Sequence, residues 1–114
     1  MDSWELQEDL TRRFGGAFLP TRPDQVVGIA RNLGTGLLPL NGLRHPPEGQ
    51  TSGWYLWAGR ELSAAPDFFE PVHAGHLTET CPEVIAYLGL GPGWRFLLAG
   101  AHVDVWYDAK LLEV

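Results

Sequence analysis

Cysteine is nearly absent from this 114-residue chain: Cys81 stands alone, so no internal disulfide can staple the fold. No apolar run approaches the roughly 20 residues that a membrane-spanning helix needs. Met1-Asp2-Ser3-Trp4-Glu5 has neither the basic region nor the apolar core of a secretory signal. These three absences point to a soluble, cytoplasmic protein held together by packing. Internal repeats and low-complexity segments are also missing. Between Glu61 and Glu83 there is no Lys or Arg, although five acids (Glu61, Asp67, Glu70, Glu79 and Glu83) fall there. A surface of that sign repels phosphate and disfavours nucleic acid. It attracts a basic protein.

What is present is apolar bulk. Hydrophobic residues make up 45% of the chain and five of them are tryptophans, which is enough for one packed domain and excludes disorder. The net charge of −6 is uneven: residues 1–57 carry six acids and five bases, residues 58–114 eight acids and three bases.

At the N-terminus, Asp2 or Ser3 can cap a helix whose Leu6, Leu10 and Phe14 form one apolar stripe, ending at Gly15-Gly16. Pro20 and Pro23 mark an extended connector. Gln25–Asn32 suits a strand, with Gly28 permitting a bulge or a close approach. Gly34-Thr35-Gly36 reads as a turn, Leu37–Leu40 as a short strand, and Asn41-Gly42 as the strongest tight-turn dipeptide in the chain. Residues 44–53 read as a surface loop. Trp54–Ala58 is bulky on both faces and predicts a central strand covered on both sides.

Glu61–Leu77 reads as exposed surface anchored by aromatics. Thr80-Cys81-Pro82-Glu83 then predicts a helix start with Thr80 as its cap, Val84, Ile85 and Leu88 on its buried side, and Gly89 as its stop. Trp94–Ala99 and Val103–Tyr107 predict an antiparallel hairpin with Trp94, Phe96 and Leu98 on one face. The tail, Leu111–Val114, packs or adds an edge strand. The element order predicts an α+β fold: a small single domain, a mostly antiparallel sheet and two or three flanking helices.

Chemistry is sparse. His73 and His76 could share a metal if their segment were helical, with Asp67 or Glu70 as a third ligand. Cys81, at a helix start, could be a nucleophile with a histidine as base. Neither pattern is complete, because no second ligand pair and no oxyanion signature accompany them. Asp104 and Asp108 would need a cleft to act as a catalytic pair. Gly34-Thr35-Gly36 lacks the lysine and the spacing of a phosphate-binding loop. The residues themselves thus argue for no catalytic site, no metal and no cofactor. Aromatics interleaved with acids, as in Asp67-Phe68-Phe69-Glu70, instead make a recognition surface.

One further pattern runs through Ala30-Arg31-Asn32, Gly53-Trp54, Trp57-x-Gly59-x-Glu61, Asp67-x-Phe69, Pro92-Gly93-Trp94-Arg95-Phe96 and Asp104-x-Trp106-x-Asp108. It resembles the immunity proteins of bacterial polymorphic toxin systems classed as immunity family thirty-three and their close relatives. The resemblance covers roughly residues 26–114 and leaves the N-terminal helix, 1–16, outside. It implies a non-enzymatic cytoplasmic protein that binds and neutralises a cognate toxin, by plugging the toxin's active site or by blocking its substrate. A basic toxin is the expected partner, and nucleic acid and membrane are not expected. The expected contact residues are Glu61, Asp67, Phe68, Phe69, Glu70, His73, His76 and Glu79. The alternatives are a small metal- or thiol-dependent enzyme using His73, His76 and Cys81, or a general interaction module.

Overall fold

A computed structural model describes residues 3–63 and 65–113. The chain runs through helix α1 (Ser3–Phe14) and strands β1 (Val26–Ala30), β2 (Leu40–Arg44), β3 (Thr51–Ala58) and β4 (Phe69–His73). A 3-10 turn (Ala74–His76), the short helix α2 (Leu77–Thr80) and a 3-10 helix (Pro82–Gly89) follow. Strands β5 (Trp94–Ala99) and β6 (His102–Tyr107) and a last 3-10 turn (Ala109–Leu112) complete it. The six strands form one sheet in the order β4-β1-β3-β2-β5-β6. Every neighbouring pair is antiparallel except β1 and β3. The fold is α+β.

Trp54–Ala58 occupies the centre, as its two bulky faces require. Trp54 and Leu56 are fully buried against Val27, Leu77, Val84, Leu88 and Phe96, the core between the sheet and its helices. Tyr55 and Trp57 point to the other face, where Ala30, Leu43, Phe68, Phe69 and Leu111 gather. The tail therefore packs through Leu111, and its described residues add no edge strand. The hairpin forms as expected, with Trp94 opposite Tyr107 and Ala99 opposite His102. Gly28 lies where the β1–β3 register shifts.

Several expectations change; Leu37–Pro39, expected to begin a strand, lie ahead of β2, which starts at Leu40. The dipeptide Asn41-Gly42 is no turn; it lies inside β2, a wholly buried strand. A Cβ on Gly42 would overlap the Phe96 ring, so the glycine is there for close approach, and packing overrides its turn preference. Another change is in Glu61–Leu77, which is not all irregular surface: Phe69–His73 pairs with β1 along its whole length.

On α1 the buried side is Gln7, Leu10 and Thr11, whereas Leu6 and Phe14 are largely exposed. Gln7 wins the inward position because its amide pairs with both backbone polar groups of one residue, Thr21. Its Nε2 donates to the Thr21 carbonyl (3.1 Å) and its Oε1 accepts from the Thr21 N–H (2.8 Å). Asp2, the other candidate cap, lies outside the described residues.

Finally, Thr80 does not cap a helix at Pro82. It closes α2, and the segment after Cys81 is 3-10 rather than α, with no side-chain cap. Pro82 drives its predecessor out of the α region, and Cys81 takes φ −157°, ψ 72°.

One end of β2 is sealed by a buried cation. Arg44 is inaccessible to solvent. Its Nε donates to the Ser52 carbonyl (2.9 Å) and its Nη1 to those of Leu19 (2.6 Å), Leu90 (2.8 Å) and Leu88 (3.3 Å). The guanidinium also lies 5.5 Å from the Trp54 ring centroid. Burial lowers its pKa to about 10, so it stays charged at neutral pH.

Candidate protein-binding site

The opposite end of β2 is built differently. The turn of residues 31–39 leaves β1 and projects past the end of the sheet. Asn32 ties it to β3: its Nδ2 donates to the Ala58 carbonyl (2.6 Å), and its Oδ1 accepts from the Ala58 N–H (3.0 Å). Asn41 ties the start of β2 to the same place, its Nδ2 donating to the Gly59 carbonyl (2.8 Å). The Gly59 N–H in turn donates to the Pro39 carbonyl (2.9 Å). Gly34, at φ +85°, lets the turn rest on the Thr80 carbonyl; a Cβ there would come within 2.6 Å of that oxygen. The backbone of the turn is thus anchored on two sides.

Leu33 packs into the core, but the side chains at the far end of the turn are not buried in return. Leu37 and Leu38 are 48% and 50% exposed. Leu38 stands between two open clefts. One, of about 540 Å³, is lined by Leu37, Leu38, Arg60, Glu61 and Phe68 among others. The second, of about 370 Å³, is lined by Leu38, Leu40, Glu83, Tyr87, Leu98 and Val103. An acid stands on each: Glu61 on the first and Glu83 on the second.

The contact residues expected from the sequence divide between two places. Glu61, Asp67 and Phe68 meet at this end: Glu61 and Phe68 line the larger cleft, while Asp67 and Phe68 line a shallower one beside it with Arg31. Phe69 is half-buried in β4, edge-on to Phe68 (4.8 Å between centroids) and to Tyr55 (5.1 Å). Glu70 is exposed and pairs with Arg31 at 3.2 Å. His73 pairs with Val26, so it lies at the far end of β4, its ring stacked 6.3 Å from that of His76. Glu79 is exposed on α2.

The leucine pair and the two asparagines were not among the expected residues. The signal was Leu37-Leu38 between a glycine turn and Pro39, which also reads as the start of a strand.

The thiol and metal alternatives find no assembled site. Cys81 is buried, and burial, with the nearby Glu83 charge adding to it, pushes its thiol up to about 11. It is a packed thiol, not a thiolate. His73 and His76 sit on a strand end and a 3-10 turn rather than on one helical face. Among the described residues no three His, Cys, Asp or Glu side chains are grouped to hold a metal ion. Asp104 pairs with His102 (2.9 Å) and Asp108 with Arg95 (3.3 Å), so the two carboxylates are engaged separately. No described helix is long and apolar enough to cross a membrane.

No curated protein and no solved structure matches the chain at a significant level. The family model of the Imm33-like domain does match, from residue 6 inside α1 to residue 108 just after β6. With nearly its whole length matched, the chain belongs to the Imm33-like immunity-protein family.

Proposed function

We propose that this chain is the immunity half of a toxin–immunity pair: a non-enzymatic cytoplasmic protein that binds a cognate bacterial toxin and neutralises it. Binding covers the toxin's active site or its substrate path. The observation that carries this reading, beside the family, is that Glu61, Asp67, Glu70, Glu79 and Glu83 are all exposed in a span without Lys or Arg. Such a field speeds encounter with a basic toxin and rejects anionic partners. Phe68 and Phe69 supply apolar contact beside it, with His73 and His76 at the far end of β4.

Co-expression with the toxin encoded beside it tests the proposal. Growth is rescued and the two proteins elute together on a sizing column; failure of both refutes the reading. Asp67→Lys with Glu70→Lys slows association about tenfold at low salt and flattens its salt dependence. An unchanged association rate removes this face from the interface.

A further inference from the structure

The exposed leucines at the open end of the sheet have no role in the fold that would require their exposure. Apolar side chains on a backbone fixed in advance by Asn32, Asn41 and Gly59 lose little freedom when a partner covers them. Two clefts flank them, and each has room for side chains of the covering surface. Leu62, also half exposed, stands next in sequence to Glu61, and the exposed Val103 lines the smaller cleft.

Charge selects the occupant. The exposed acids here are Glu61, Asp67, Glu70 and Glu83; the arginines are Arg60 and Arg31, with Arg13 near enough for its charge to act on Tyr87 of the smaller cleft. Arg31 is engaged with Glu70. A second copy would bring acids against acids, and a nucleic acid or an anionic membrane would meet the wrong sign. A basic protein segment with apolar side chains at its centre and Lys or Arg at its flanks meets both features.

We infer that Leu37 and Leu38 form the central anchor of the toxin interface. Apolar side chains of a basic toxin segment enter the two clefts, and Glu61 and Glu83 pair with its flanking cations. This rests on the immunity reading and sharpens it: it moves the centre of contact from the Glu61–Glu79 strip to a turn that precedes it in the chain. The acids become a rim that steers, and the leucines an apolar core that holds.

The test uses the full chain and the toxin encoded beside it. Leu37→Ala with Leu38→Ala weakens the complex about thirtyfold or more, chiefly through faster dissociation, without shifting the melting temperature. Phe14→Ala, an exposed apolar residue on α1, leaves binding unchanged. Glu61→Lys with Glu83→Lys gives a reading that does not depend on the integrity of the turn. Both side chains are exposed, and their reversal slows association about tenfold at low salt. Wild-type-like dissociation of the folded leucine variant overturns the anchor and leaves the immunity reading standing; so does an unchanged association rate of the double lysine variant. Should the wild-type chain neither rescue growth nor bind, the immunity reading falls and the anchor with it.

Discussion

The two ends of β2 solve opposite problems with the same kind of bond. At Arg44 a buried guanidinium collects carbonyls from three separate segments and shuts the end of the sheet. At Leu40 two asparagine side chains also collect backbone groups, yet the turn they fix keeps Leu37 and Leu38 in solvent. Side chain-to-backbone bonds are thus used once to close and once to hold open. The open end meets solvent with an exposed apolar pair flanked by acids.

This contrast can be broken at either end. The largest effect is expected from Arg44→Met, which leaves the carbonyls of Leu19, Ser52 and Leu90 without this donor in a buried place. Denaturant unfolding should show a loss of about 3–5 kcal/mol. Lysine restores little, since one ammonium cannot reach the span of a guanidinium. A loss below about 1 kcal/mol would mean that this end is not held by the cation.

At the open end Asn32→Ala removes two bonds to Ala58 and lowers stability by about 1–2 kcal/mol. Its fuller signature is in binding: toxin affinity falls although Asn32 is not itself the anchor, because the leucines lose their fixed backbone. Equal affinity with reduced stability would separate the turn from the interface. The smallest effect belongs to Arg31→Ala. Its pair with Glu70 is exposed on both sides, so less than about 0.5 kcal/mol is expected from thermal melts.

How far the chain could be read in advance follows the same division. The β5–β6 hairpin and the glycine stop of α1 were legible because their partners are a few residues away. The Gly15 N–H reaches the Arg12 carbonyl and the Gly16 N–H the Thr11 carbonyl, a Schellman closure complete within one turn. Trp54–Ala58 was legible because an apolar strand with two bulky faces has few places to go. The immunity family was legible in the spaced tryptophans and glycines, and the acidic run in composition alone.

Asn41-Gly42 was misread because its decisive neighbours, Phe96 and Gly59, are distant in sequence. Phe69–His73 hid as a strand because its burial is partial and Pro71 interrupts it; an edge position tolerates both. Arg44 offered no local sign of burial, since all its acceptors are carbonyls and no acid in the sequence points to it. The leucine pair was read as the start of a strand because sequence hydropathy does not distinguish an apolar residue that packs from one held out.

The sheet order has a last consequence, for the order of assembly. Central strand β2 lies between β3, which follows within a few residues, and β5, which begins only at Trp94. During synthesis, one edge of β2 and the bare surface over Gly42 stay open until the C-terminal hairpin emerges and Phe96 lands on the glycine. A chain truncated before residue 94 would expose that edge as a template for aggregation. Completion of the sheet therefore waits on β5 and β6.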